Sequence, residues 1–213
     1  MTAILICGGS LSAAFLSSVL DNYDNPVIYA VDGGLTVADC AGVMPDYLVG
    51  DFDTAEESLV VSYAEHCITL RHVPEKDATD TELAVDDALK RGADEVVLLG
   101  ATGSRMDHTI ANIHMLYRIR LQGKTGFILN ENNRISLHDS SFIMSKEKLF
   151  GKYVSFLPFL EDVTGVTLEG VKYPLAGATL TAGNSLGVSN EATEEIIKVS
   201  FSTGYLLMIE ARD

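Results

Sequence analysis

The sequence predicts an α/β fold in two parts: a doubly wound, largely parallel N-terminal α/β sheet domain over residues 1–130, then a C-terminal all-β sandwich domain over 131–213. Three observations carry this. Short apolar runs alternate with segments of helical spacing through the first part, which implies strands joined by crossover helices. Around Asn130 the texture changes to the polar, punctuated stretch LNENNRISLHDSS. Beyond it no helical stripe recurs, and β-rich runs are separated by Gly, Pro and Asn.

In chain order, Ala3 to Cys7, Val27 to Val31, Tyr47 to Val49, Ile68 to Leu70, Glu95 to Leu99 and Phe127 to Leu129 read as buried strands. ATDTELAVDDALKRG reads as a helix whose apolar stripe is Leu83, Ala84, Ala88 and Leu89, with Gly92 as its stop. MDHTIANIHMLYRIRLQG reads as another, with Ile110, Ile113, Leu116 or Tyr117, and Leu121 facing the core and Gly123 closing it. In the second part VSFLPF, VTGVTLEGVKY, ATLTA, EIIKVSFSTG and YLLMIEA are separate strand candidates.

With 213 residues and 47% hydrophobic content the chain can bury a substantial core, so disorder is excluded. Thirty acidic residues against fifteen basic ones give a net charge of -15, which disfavours nucleic acid and anionic membranes as partners. An anionic small substrate then needs local help from a metal, an arginine or a helix N-terminus. Cys7, Cys40 and Cys67 are widely spaced and form no CxxC pair, so neither a disulfide framework nor a zinc site is expected. No apolar run approaches a membrane span, and MTAILICGGS has no basic region before its apolar run, so a cytoplasmic location is expected.

Open parallel sheets bind ligands at the carboxyl ends of their strands. Four polar loops fall there: DGG at 32–34, GDFDT at 50–54, KDATDTE at 76–82 and GATGSRMDH at 100–108. In GDFDT, Asp51 and Asp53 stand two apart, roughly 6.5 Å along an extended backbone and on the same side, where they repel unless a cation lies between them. For an isolated DxD the reading as turn residues, which bond their own backbone after a strand, comes first. In KDATDTE, Thr79 and Glu82 fit a capping box, and Asp77 and Asp80 suit a helix start. A third acidic group at one sheet edge nevertheless favours Mg2+, which removes the mutual repulsion. In GATGSRMDH, Gly100 and Gly103 permit close approach and positive φ, Ser104 or Asp107 can cap the next helix, and Arg105 suits either a phosphate or a surface pair with Asp107. His108 either donates a hydrogen bond or fills the first turn.

DGG, PDYLVGDFDT, KDATDTE and GATGSRMDH, with VTGVTLEGVKYPL and GVSNE downstream, closely resemble the thiamin pyrophosphokinase family over essentially the whole chain. Thr54 stands where that family commonly has serine, which keeps the hydroxyl. The resemblance implies a Mg2+-dependent enzyme in which the thiamin hydroxyl attacks the β-phosphorus of ATP, giving thiamin diphosphate and AMP. It implies a homodimer with active sites between the chains. It implies catalytic roles for Asp51, Asp53, Asp80 and Arg105, the three aspartates holding the metal. Asp32, Gly33, Gly34, Asp77, Thr79, Gly103, Ser104, Arg105, Asp107 and His108 fall to the nucleotide, and Ser189, Asn190 and Tyr173 to thiamin. Two other readings compete. A haloacid-dehalogenase-type hydrolase also ends a strand in DxD, but here the threonine falls one place early and the motif lies on the third strand. A non-catalytic nucleotide sensor would bind Mg-nucleotide without turnover.

Overall fold

The structure is a computed structural model that describes residues 1–52, 56–70 and 78–213. The chain is a mixed α/β protein that divides into two compact units, Met1–Glu131 and Asn132–Asp213.

In the first unit the order along the chain is β1 (Thr2–Ile6), α1 (Ala13–Leu20), β2 (Val27–Val31), α2 (Gly34–Cys40), β3 (Tyr47–Val49), α3 (Glu57–Ala64), β4 (Ile68–Leu70), α4 (Asp80–Lys90), β5 (Glu95–Leu99), α5 (Met106–Leu121) and β6 (Thr125–Leu129). The strands lie in the order β4-β3-β2-β1-β5-β6, and every adjacent pair is parallel. Ile4, Leu5 and Ile6 in β1 and Val96 to Leu99 in β5 are fully buried on both faces, which is why these strands are continuous apolar runs. The order has one functional consequence. The chain moves outward from β1 to β4 and then returns to place β5 on the other side of β1, so the direction of winding reverses between β1 and β5. Loops leaving two such strands diverge and leave a crevice.

The helices depart from the sequence expectation in which face they bury. In α4 the buried residues are Ala84, Val85 and Ala88, while Leu83 and Leu89 are only half-buried. In α5 they are Asn112, Leu116 and Ile119, while Ile110 and Leu121 are more than half exposed. Of the α5 stripe read from the sequence, Leu116 is buried and Ile113 and Tyr117 half-buried, while Ile110 and Leu121 face outward. The pattern was ambiguous because α5 is apolar on more than one side, and the buried stripe includes an asparagine.

The second unit is β7 (Asn133–His138), β8 (Phe142–Ser145), β9 (Tyr153–Glu169), β10 (Leu175–Leu180), β11 (Asn190–Glu191), β12 (Ile196–Ser200) and β13 (Thr203–Ala211), with a single 3-10 turn at Lys146–Lys148. Its strand pairs are antiparallel. VSFLPF and VTGVTLE are one strand of 17 residues, not two. The first part of β9 pairs with β13 and β11 and its later part with β10 and β12; Leu160, at φ +66°, lies where the register against β13 shifts. LNENNRISLHDSS also proves to contain a strand, β7, whose Ile135 and Leu137 alternate inward. Val154, Phe156, Val163, Val166, Leu168, Ile197, Val199 and Leu206 form the core of this unit. Fully buried Glu210 accepts two bonds from Arg134, Nε at 2.5 Å and Nη2 at 2.6 Å, and a third from the Phe150 N–H at 3.0 Å.

Among the described residues no helix is long and apolar enough to cross a membrane. All three cysteines are free.

Candidate active site

The crevice between β1 and β5 opens into a cleft of about 400 Å³ in the first unit. Its walls are the loop after β1, the end of β2, the start of α4 and the loop from Gly100 to Arg105 with the first turns of α5. That size suits a small polar ligand.

Two glycine-rich loops interlock to form the floor. Gly9 donates to the Gly100 carbonyl at 2.8 Å and Ser10 to the Thr102 carbonyl at 2.8 Å. A Cβ on Gly9 would come within 2.3 Å of the Gly100 oxygen, and one on Gly100 within 2.3 Å of the Cys7 oxygen. Gly100 also has φ +63°, so a side chain is excluded there on both counts. Gly103 differs from the sequence expectation: its φ is not positive, and a Cβ would meet nothing closer than 3.4 Å.

α4 starts as the sequence foresees. Thr79 is the N-cap and its Oγ1 accepts from the Glu82 N–H at 3.3 Å. The reciprocal half of the capping box is absent, because the Glu82 carboxylate is 2.8 Å from Arg118 Nη1 instead. Arg118 also grips Asp86 through Nε at 2.6 Å and Nη2 at 2.7 Å, tying α5 to α4. Asp80, in the first turn, lines the cleft, as does Asp32 at the end of β2. Asp32 has φ +47° and donates its N–H to the Val49 carbonyl at 2.9 Å. Thr81 reaches Cys7 Sγ at 3.8 Å, and burial pushes the Cys7 thiol up to about 12, so it is not a nucleophile at neutral pH.

α5 is capped differently from expectation. Arg105 is the N-cap residue and neither Ser104 nor Asp107 provides a side-chain cap. Arg105 instead pairs with Asp107, Nη2 to Oδ2 at 2.5 Å and Nε to Oδ1 at 3.2 Å. The Arg105 guanidinium, with the backbone at His108, holds the Asp107 carboxyl down at about 2. Arg105, Ser104 and His108 line the cleft. Both members of the pair are about two-thirds exposed, so this bond is easily exchanged for one to a ligand anion.

Of the residues named from the sequence, the structure therefore gathers Asp32, Thr79, Asp80, Gly103, Ser104, Arg105 and His108 around one cleft. Gly33 and Gly34 are the N-cap and first residue of α2, and the lining does not include them. Asp51 is exposed after β3, next to buried Phe52 at φ +58°. Asp53 and Asp77 lie outside the described residues, and among the described residues no three His, Cys, Asp or Glu side chains gather as metal ligands.

In the second unit Tyr173 and Asn190 meet. The Asn190 side chain is buried; its Oδ1 accepts from the N–H groups of Tyr173 and Glu191, both at 3.0 Å, and its Nδ2 donates to the Tyr173 carbonyl at 2.8 Å. Asn190 thus spends its amide on backbone, fixing the neighbours of Ser189 and Tyr173. Ser189, at φ +56°, donates its N–H to Ser155 Oγ at 3.0 Å. Tyr173 is more than half exposed, and Leu186 and Val188 nearby in sequence are also exposed.

Comparison with known proteins decides the family. A family description of the thiamin pyrophosphokinase catalytic domain matches residues 20–128, and one of its vitamin B1 binding domain matches 141–206. The chain belongs to the thiamin pyrophosphokinase family. It is 35% identical over 186 residues to thiamine pyrophosphokinase of Bacillus subtilis, covering 86% of each chain. The crystal structure of the Bacillus subtilis thiamine pyrophosphokinase superposes with a TM-score of 0.90 at 30% identity, covering 100% of both chains. That of Geobacillus thermodenitrificans thiamin pyrophosphokinase gives 0.85 at 29%, covering 100% of this chain and 98% of the other.

In this family member several cleft residues escaped the sequence reading: Gly8, Gly9, Thr81, Thr102, Thr109 and Asn112. CGGS directly after the first apolar strand was a usable signal, because glycines in a strand-to-helix loop permit close backbone approach. Asn112 gave a weaker one: a polar residue on the stripe that packs inward.

Proposed function

We propose that the chain is an ATP-dependent diphosphotransferase that moves the pyrophosphoryl group of ATP to the thiamin hydroxyl, giving thiamin diphosphate and AMP. The observation that carries this reading is the cleft at the β1/β5 reversal, where glycine-rich backbone, Arg105 and the acids Asp32 and Asp80 converge in a member of this family. The polyphosphate would lie along the Gly100–Arg105 loop, with Arg105 turning from Asp107 to phosphate oxygen, and with Thr79, Ser104 and His108 as hydrogen-bond partners. Charge stabilisation and alignment supply most of the rate in such transfers. Thiamin would bind in the second unit, a β-sandwich in this reading, beside Ser189 and the Tyr173 ring, with Asn190 holding both loops in place.

Mg2+ is the metal of this proposal. The acids Asp51, Asp53 and Asp80 are hard oxygen donors of the type it takes, and a Mg2+ ion arriving on a triphosphate needs only one or two protein carboxylates. The lack of a preformed three-carboxylate cluster among the described residues is compatible with that. When bound, the ion would neutralise charge on the phosphate oxygens. Exposed Met106, Ile110 and Leu121 on α5 favour a homodimer, and the free thiols Cys7, Cys40 and Cys67 favour the cytoplasm. The hydrolase reading loses support, because its DxD follows the third strand instead of the first, with Ala55 where that motif needs threonine or valine.

The test is to incubate the protein with ATP, MgCl2 and thiamin and identify products by mass. Thiamin diphosphate and AMP in equal amounts are expected, with loss of both in Asp51→Asn and Asp53→Asn. Phosphate release from esters without thiamin would instead indicate a hydrolase, and ATP binding without AMP a sensor.

A further inference from the structure

Asn112 is a buried amide in the middle of a helix, where asparagine is disfavoured and burial is costly unless its polar atoms are bonded. It lines the cleft, and its Nδ2 donates to the Ala101 carbonyl at 2.8 Å. The neighbouring peptides are held too, but differently. The peptide joining Thr102 to Gly103 is pinned at both ends, its carbonyl by the Ser10 N–H at 2.8 Å and its N–H by Thr109 Oγ1 at 3.3 Å. The peptide joining Ala101 to Thr102 is pinned by Asn112 at its carbonyl end, and among the described residues no backbone or side-chain acceptor takes the Thr102 N–H. A planar trans peptide points its N–H opposite to its carbonyl. Fixing the Ala101 oxygen against α5 therefore directs the Thr102 N–H away from α5. Asn130 Nδ2, donating to Thr102 Oγ1 at 3.0 Å, steadies the same residue.

We propose that Asn112 is a positioning residue for nucleotide binding: by holding the Ala101 carbonyl it presents the Thr102 N–H to a phosphate oxygen of ATP. This deepens the reading that the cleft takes the nucleotide, and rests on it. The effect is confined to the nucleotide, since no part of the brace belongs to the Ser189–Asn190 segment.

The experiment compares the full chain with Asn112→Asp, which is nearly isosteric but sets an acceptor against the Ala101 oxygen, and with Asn112→Ala. Calorimetry gives the Kd for Mg-ATP, and steady-state assays give KM for ATP and for thiamin, all well below the melting temperature of each variant. Both variants should bind ATP about tenfold more weakly, the loss expected for one hydrogen bond to a charged group, with KM for thiamin within about twofold of wild type. Wild-type ATP affinity in a folded variant, or equal rises in both KM values, would overturn the proposal. A readout free of any folding defect comes from the wild-type chain. Its Thr102 amide resonance should move when Mg-ATP is added, and an unmoved resonance would also overturn it. A chain that binds ATP with these changes yet makes no thiamin diphosphate would defeat the proposed reaction and leave this assignment standing. One that binds no ATP at all defeats both.

Discussion

Arg105 sits at the mouth of the cleft with its guanidinium on Asp107, and that pair is so exposed that removing it should leave the fold undisturbed. Arg105→Ala is therefore expected to keep the wild-type melting temperature while turnover falls by about 10²–10³, the range found when one preorganised donor to developing charge is lost. A large drop in melting temperature would instead assign Arg105 a structural role. Asp94 offers a separate test by pH. Lys124 and the N-terminal amine, at 2.7 Å and 2.9 Å, hold its carboxyl down at about 2 from its usual 3.8. A depressed carboxyl stabilises the fold above its unfolded value and loses that contribution as pH falls through the folded one. The stability gap between wild type and Asp94→Asn should thus be constant between about pH 5 and pH 7 and close progressively between about pH 5 and pH 1 in thermal melts.

Loops and strands show how far local pattern reaches. The two glycines of the GATGS loop looked alike in the sequence, yet only Gly100 has positive φ and a blocked Cβ position. Gly100→Ala should therefore abolish nucleotide binding by displacing the loop from Cys7, while Gly103→Ala should bind ATP within a few-fold of wild type. Calorimetry distinguishes the outcomes. The six strands described in the first unit were legible, the inner ones because buried parallel strands are plain apolar runs, whereas β4, read as buried, has Ile68 exposed and Thr69 and Leu70 half-buried. β7 was missed because only Ile135 and Leu137 of its six residues are buried and apolar. The length of β9 was missed because the two acids Glu161 and Asp162, both exposed, interrupt the apolar pattern between VSFLPF and VTGVTLEGVKY. Glu210 on β13 was invisible as a core residue, since only the fold brings Arg134 to it. Glu210→Ala leaves a part-buried guanidinium without its carboxylate and should cost about 3–5 kcal/mol in denaturant melts. A loss below about 1 kcal/mol would show that the pair contributes little.

For the whole molecule, the alternation of strand and helix followed by β-rich runs was enough to read an α/β chain with a change of architecture near residue 130, and six motifs were enough to read the family. What the sequence could not supply was which loops share a crevice. That follows from strand order, and β1 and β5 are neighbours only because the chain doubles back after β4. Hence CGGS and Asn112, far from GATGS in sequence or on an unexpected helix face, came into view only with the fold. Acidic overall charge is consistent with a cationic acceptor such as thiamin and with a nucleotide bound through local donors instead of long-range attraction. The central claim is that one cleft aligns the triphosphate so that its two terminal phosphates leave together. The most direct measurement follows ATP labelled separately at the α and γ positions, with Mg2+ and thiamin present. The account predicts α label only in AMP and γ label only in thiamin diphosphate, with no ADP at any time. ADP appearing before AMP, or γ label released as free phosphate without thiamin, would contradict it.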